Sequence, residues 1–154
     1  MQSLVKKLII FPLVFVYSIE IASGVKFTSS PFLNIFMHGN VFHLSLCCFC
    51  FWSMLNNKPL ANTHMLSVGL AAAVIATYLS PYPYQGTSGI LFTITGIMLS
   101  AYCTKENYVR VLLAAGFCTA IQPTSWCVHL IPLVIGFLYY RLFKFINNGK
   151  TYLN

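Results

Sequence analysis

Three polar residues, His43, Ser88 and His129, hold matching places in an otherwise apolar chain, each near the start of a long hydrophobic stretch. A serine hydroxyl is a poor nucleophile at neutral pH and needs a base within hydrogen-bond reach. A histidine supplies such a base, taking the serine proton and later giving it to the leaving amine. Ser88 sits in Gly86-Thr87-Ser88-Gly89. The flanking glycines permit a sharp turn and close backbone approach. The serine then opens a helix, where free amide hydrogens can stabilise an oxyanion. His129 is expected about one turn into the last stretch, as the base. His43 opens the second stretch, at the depth needed to donate a hydrogen bond to a tetrahedral intermediate. His38, five residues earlier, is better placed to fix the loop or the helix end. The plainer alternatives are a small residue in a tight helical entry and a histidine bonded to a backbone carbonyl.

The elements that position these residues follow from composition. Of 154 residues, 58% are hydrophobic and 7% charged. A soluble domain carries roughly a quarter charged residues, so bilayer is the expected solvent here. Apolar stretches run 8–23, 41–55, 65–79, 88–102, 108–121 and 126–145. Several are nearer to about 15 than to the ~20 residues that a spanning helix usually needs, so extension into the flanks or local thinning of the bilayer is expected. If they are six spans, the second, fourth and sixth run the same way, and His43, Ser88 and His129 lie just below one face. Turn chemistry falls between the stretches: Asn56-Asn57-Lys58-Pro59, Pro81-Tyr82-Pro83-Tyr84-Gln85-Gly86 and Gln122-Pro123-Thr124-Ser125. Pro12 and Pro132 fall inside stretches and should kink them.

The formal net charge of +7 is unevenly distributed. With odd-numbered loops inside, Lys6, Lys7, Lys58, Lys105, Arg110, Arg141, Lys144 and Lys150 fall on one side and Lys26 on the other. This is the positive-inside pattern of a protein with both termini in the cytoplasm. No run of Arg/Lys alternates with aromatics as a strand-binding groove requires, which disfavours nucleic acid.

Other residues read more plainly. Residues 1–24 have the outline of a signal peptide, but removing them would leave five spans and spoil the charge asymmetry. Glu20 is expected to make a polar contact near the outer end of the first helix. Cys47, Cys48, Cys50, Cys103, Cys118 and Cys127 mostly lie inside predicted spans, as packing residues rather than a disulfide framework. His43 and Cys47 share a helical face, but a metal site needs more ligands than the chain offers, and no metal or cofactor is expected. His64, at the opposite end, reads as structural or solvated. Gly89, Thr93, Gly96 and Ser100 form a small-residue stripe that lets another helix approach closely.

Taken together these residues resemble the rhomboid family of intramembrane serine proteases. Phe36-Met37-His38-Gly39-Asn40-Val41-Phe42-His43-Leu44 resembles the family's helix-two signature. Gly86-Thr87-Ser88-Gly89 resembles its nucleophile motif, and His129 with Gly136 its helix-six base motif. The resemblance spans residues 36 to 136 and implies an all-α membrane protein, a single rhomboid-like six-transmembrane-helix bundle with cytoplasmic termini. It implies a Ser88–His129 dyad in a water-accessible cavity, with His43 and the Ser88 backbone amide binding the oxyanion. Substrates would be transmembrane segments of other proteins, cut near their outer ends. Span five would be a lateral gate and residues 122–125 a cap. The expected location is a multi-pass position in the lipid bilayer of a cell membrane, the bacterial inner membrane.

The departures are specific. Where family members commonly carry an asparagine, four residues after the second helix-two histidine, this chain has Cys47, a weak donor. Loss of one oxyanion donor costs about 10²–10³ in rate in a soluble serine protease. Phe92 stands where a tyrosine commonly stacks on the base. Trp126 and Pro132 replace small or polar positions, and the Trp-Arg pair usual between spans one and two is missing. The alternative is therefore a catalytically inactive rhomboid-like protein that binds transmembrane segments. A transporter would need paired polar residues through the midplane.

Overall fold

The computed structural model describes residues 2–24, 35–36, 38, 41–56, 63–80, 87–102, 104, 109, 113 and 126–146. Among these the ordered elements are five helices and no strands: α1 (Gln2–Ser23), α2 (Val41–Asn56), α3 (Thr63–Leu79), α4 (Ser88–Tyr102) and α5 (Trp126–Ile146). Four of them match the expected stretches to within two residues at each end. α1 starts six residues early, because Lys6 and Lys7 are good helix formers and continue the turn. The expected stretch 108–121 and the loop 122–125 lie outside the described residues, save Val109 and Leu113, both helical and exposed.

Helix ends follow local chemistry. Gly24 takes a left-handed φ of 66° and its amide donates to Glu20 O at 2.9 Å, closing α1. A residue with a Cβ pays a steric cost in that conformation, which glycine avoids. The Ser80 amide closes α3 in the same way on Ala76 O at 2.9 Å. At the other end, the Thr87 carbonyl accepts from the amides of Ile90 (3.0 Å) and Leu91 (3.3 Å), making Thr87 the N-cap of α4.

α4 is the central helix, packing on α2, α3 and α5, while α1 packs on α2. The small-residue stripe explains the tightest contact. A methyl added at Gly96 would stand 2.1 Å from Leu133 O, and one added at Gly136 would stand 2.0 Å from Thr93 O. The two backbones therefore touch, with no room for a side chain between them. Gly89 meets Ala73 of α3 in the same manner, at 3.0 Å from the Ala73 methyl. The order of these contacts makes α4 parallel to α5 and antiparallel to α3. Leu13, Leu44, Phe51, Met65, Ile90, Ile94 and Ile97 fill the core around α4.

The outward surface is also apolar. Phe11, Phe15, Phe42, Phe49, Leu130, Leu138, Leu142 and Phe145 are all more than half exposed or close to it. Hydroxyls in the helices bond back to their own carbonyls: Ser18 to Val14 O, Thr77 to Ala73 O, Thr93 to Gly89 O and Thr95 to Leu91 O, at 2.8–2.9 Å. Such bonds satisfy a polar group without water. α5 is the one described helix long and apolar enough to cross a membrane; the shorter apolar segments run Ile10–Ser23, Val41–Trp52, His64–Leu79 and Ser88–Ala101.

Candidate active site

The site forms where the first turns of α2, α4 and α5 meet. Ser88 is the first residue of α4, and His129 lies one turn into α5. Because the helices are parallel and in backbone contact, two side chains 41 positions apart in sequence meet. Ser88 Oγ lies 3.2 Å from His129 Nε2, and both residues are buried. The hydroxyl can donate to Nε2 when that nitrogen carries no proton, the geometry a general base requires. Phe92, one turn after Ser88, holds its ring 4.5 Å from the His129 ring at a tilt of 31°. Contact with a ring limits the imidazole's freedom to turn away from Ser88.

Position 132 bears on the same corner. Proline has no N–H, so Pro132 cannot donate to the Val128 carbonyl one turn before it. That carbonyl faces Gly89, 3.5 Å from where a methyl on Gly89 would sit. Pro132 itself is buried within α5. Trp126 opens α5 and is about half exposed, away from the dyad's buried contacts.

A second polar group stands beside the first. His38, 1% exposed, precedes α2 and reaches two partners. Its Nδ1 lies 3.1 Å from Phe36 O and its Nε2 3.3 Å from Thr87 Oγ1. Burial pushes the His38 imidazole down to about 4, the nearby His43 adds to this, and the bond to Phe36 O opposes it. The His43 ring meets the His38 ring edge to face, 5.1 Å between centroids at 69°. His43, on the first turn of α2, also lies within electrostatic reach of His129.

The residues expected at the site are thus brought to one corner: Ser88, His129, His43, His38, Gly89 and Phe92. Cys47, one turn below His43, is buried at 3% exposure. Gly86 lies outside the described residues. Among the described residues Cys47, Cys48, Cys50 and Cys127 form no disulfide, and no three His, Cys, Asp or Glu cluster as metal ligands. His64 lies at the far end of α3, where its ring nitrogen bonds the Tyr139 hydroxyl of α5. Glu20 is half-buried near the end of α1, and among the described residues its Oε2 has no hydrogen-bond partner.

Thr87 was the residue that spacing did not single out. It is fully buried and holds His38. Its position before a predicted helix marks it as a cap; nothing in the sequence names the histidine as its partner. Compared with models of known protein families and with curated proteins, the chain matches none.

Proposed function

We propose that this chain is an intramembrane serine endopeptidase of the rhomboid type, a multi-pass bundle of six spans with both termini in the cytoplasm. The observation that carries the reading is the 3.2 Å approach of Ser88 Oγ to His129 Nε2 at the N-terminus of a helix. The apolar outer faces of α1, α2 and α5 support a lipid surrounding.

In this reading Ser88 Oγ attacks the scissile carbonyl of a transmembrane segment while His129 Nε2 takes its proton. The carbonyl oxygen becomes an oxyanion, held by the Ser88 amide and by His43, with Cys47 as a weaker donor. Collapse expels the amine, which receives the proton from His129. Water then attacks the Ser88 ester by the same base catalysis and frees the acid. The polar corner opens toward the non-cytoplasmic side, and the inner halves of α2, α4 and α5 form its apolar floor. No metal or cofactor takes part in these steps.

A catalytically inactive protein that binds transmembrane segments is the second reading, favoured by one observation: Cys47 occupies the place of a stronger oxyanion donor. Reaction with a fluorophosphonate separates the two. Labelling of the wild-type protein in detergent, lost in Ser88→Ala, is expected. A wild-type protein that does not label, or a Ser88→Ala protein that labels equally, overturns the nucleophile assignment.

A further inference from the structure

An N-cap threonine ordinarily turns its hydroxyl back onto an amide of its own helix. Thr87 does not. Its carbonyl caps α4 through Ile90 and Leu91, but among the described residues its hydroxyl meets His38, 49 residues away in sequence, at 3.3 Å. The direction of that bond can be settled. Phe36 O is a carbonyl and can only accept, so His38 Nδ1, at 3.1 Å, carries the ring hydrogen. In a neutral ring Nε2 is then a bare acceptor, and the Thr87 hydroxyl donates to it. Burial keeps the ring neutral at ordinary pH.

We propose that Thr87 and His38 form a positioning pair for Ser88, fixing the peptide between Thr87 and Ser88 and with it both the serine's hydroxyl and its amide. The peptide that joins Thr87 to Ser88 contains the amide assigned to the oxyanion. Holding the Thr87 side chain from outside the helix fixes the plane of that peptide. Because the anchor is His38, the turn ahead of α2 and the start of α4 are set by one interaction. His43 packs on the same ring, so the second oxyanion group is referred to the same anchor. Thr87 touches no substrate in this scheme and acts through its neighbour. The inference rests on Ser88 being the nucleophile, but the bond itself is testable without turnover.

Full-length protein in detergent micelles, with ¹⁵N-labelled histidine, provides both tests. In the wild type, the His38 resonances should report a hydrogen on Nδ1 and an accepting Nε2 at neutral pH; a hydrogen on Nε2 overturns the pair even if no variant folds. Thr87→Val keeps the branched shape and removes the hydroxyl, whereas Thr87→Ser keeps the hydroxyl. In Thr87→Val the His38 Nε2 resonance should move, and Ser88 labelling by a fluorophosphonate should slow by about 10- to 100-fold, the scale of a displaced reacting group. On a transmembrane reporter, kcat should fall with KM little changed. Thr87→Ser should restore the resonance and most of the rate. Wild-type labelling and kcat in Thr87→Val, or no rescue by Thr87→Ser, would overturn the inference. A wild-type protein that never labels at Ser88 instead removes the nucleophile reading, leaving the tautomer result to stand or fall separately.

Discussion

Gly136→Ala tests whether helix contact sets the distance between Ser88 Oγ and His129 Nε2. A methyl at Gly136 would stand 2.0 Å from Thr93 O, 2.9 Å from Thr93 C and 3.1 Å from Thr93 Cα. All three atoms are backbone, so no side chain can rotate to relieve them. A real Cβ essentially never approaches another heavy atom under 3.0 Å, so α4 and α5 must part by about 1 Å. Overpacking of this kind costs about 1–3 kcal/mol. The same separation, carried one to two turns up the pair, would stretch the 3.2 Å Ser88–His129 approach to about 4 Å, beyond hydrogen-bond length. A displacement of about 1 Å at a reacting group costs on the order of 10² in rate. Gly69→Ala is the milder comparison, since its nearest contact, Ile90 Cγ2 at 2.8 Å, falls short of 3.0 Å by about 0.2 Å where Gly136 falls short by about 1 Å. The assay is the second-order rate of fluorophosphonate labelling at Ser88, run beside thermal unfolding in the same micelles. Gly136→Ala should label about 10²-fold slower and melt lower, with Gly69→Ala within a few-fold of wild type. Wild-type labelling in Gly136→Ala, with or without a lowered melting temperature, refutes the reasoning. It would mean that the turn around Pro132 absorbs the displacement before it reaches His129.

Three further outcomes follow from the same geometry. Cys47→Asn supplies a stronger donor one turn below His43, so turnover of a transmembrane reporter should rise or stay level; a large loss of kcat would mean that the buried thiol is needed for packing. Phe92→Leu removes the ring beside His129, and labelling of Ser88 should slow about 3- to 10-fold, the equivalent of roughly 0.5–1.5 kcal/mol for a ring pair, while Phe92→Tyr should label like wild type. His38 is held neutral in the folded protein, down to about 4 against 6.5 for the free side chain. Between those values the unfolded chain takes up a proton that the native ring refuses. Stability contributed by the neutral ring is therefore present above about 6.5 and is lost as pH falls toward about 4. Melting temperature recorded across that range should drop more steeply in the wild type than in His38→Gln; parallel curves would refute the assignment.

The meeting of Ser88 with His129 could be read from the chain because residue type and helix phase were sufficient to place both side chains. Ser88 between small residues and His129 one turn into an apolar stretch each carry their own local signal. The parallel helices α4 and α5 then bring them to one corner. The stripe of Gly89, Thr93, Gly96 and Ser100 was readable as a packing face, but its division was not. Gly96 and Thr93 face α5 while Gly89 meets α3, and that depends on the rotation of α4 among its neighbours. Thr87 shows the limit more sharply. Its local preference is to cap α4, which it does through its carbonyl. Its hydroxyl goes to a histidine that only tertiary packing brings near.

The Phe92 ring has a consequence for the proton economy of turnover. The chain holds two acids, Glu20 and Glu106, and neither lies on α4 or α5. A base flanked by a carboxylate can stay protonated at little expense, because an anion stands behind the cation. Within α4 and α5, His129 leans on an uncharged aromatic face, which attracts an imidazolium by about 0.5–2 kcal/mol. With His129 as the base, that ring would hold the charged intermediate only weakly, and the hydroxyl would be poised by its proximity to Nε2. Such a hydrolase would be slow on any strand that merely passes by, and would act mainly on those that linger long enough to unwind beside it.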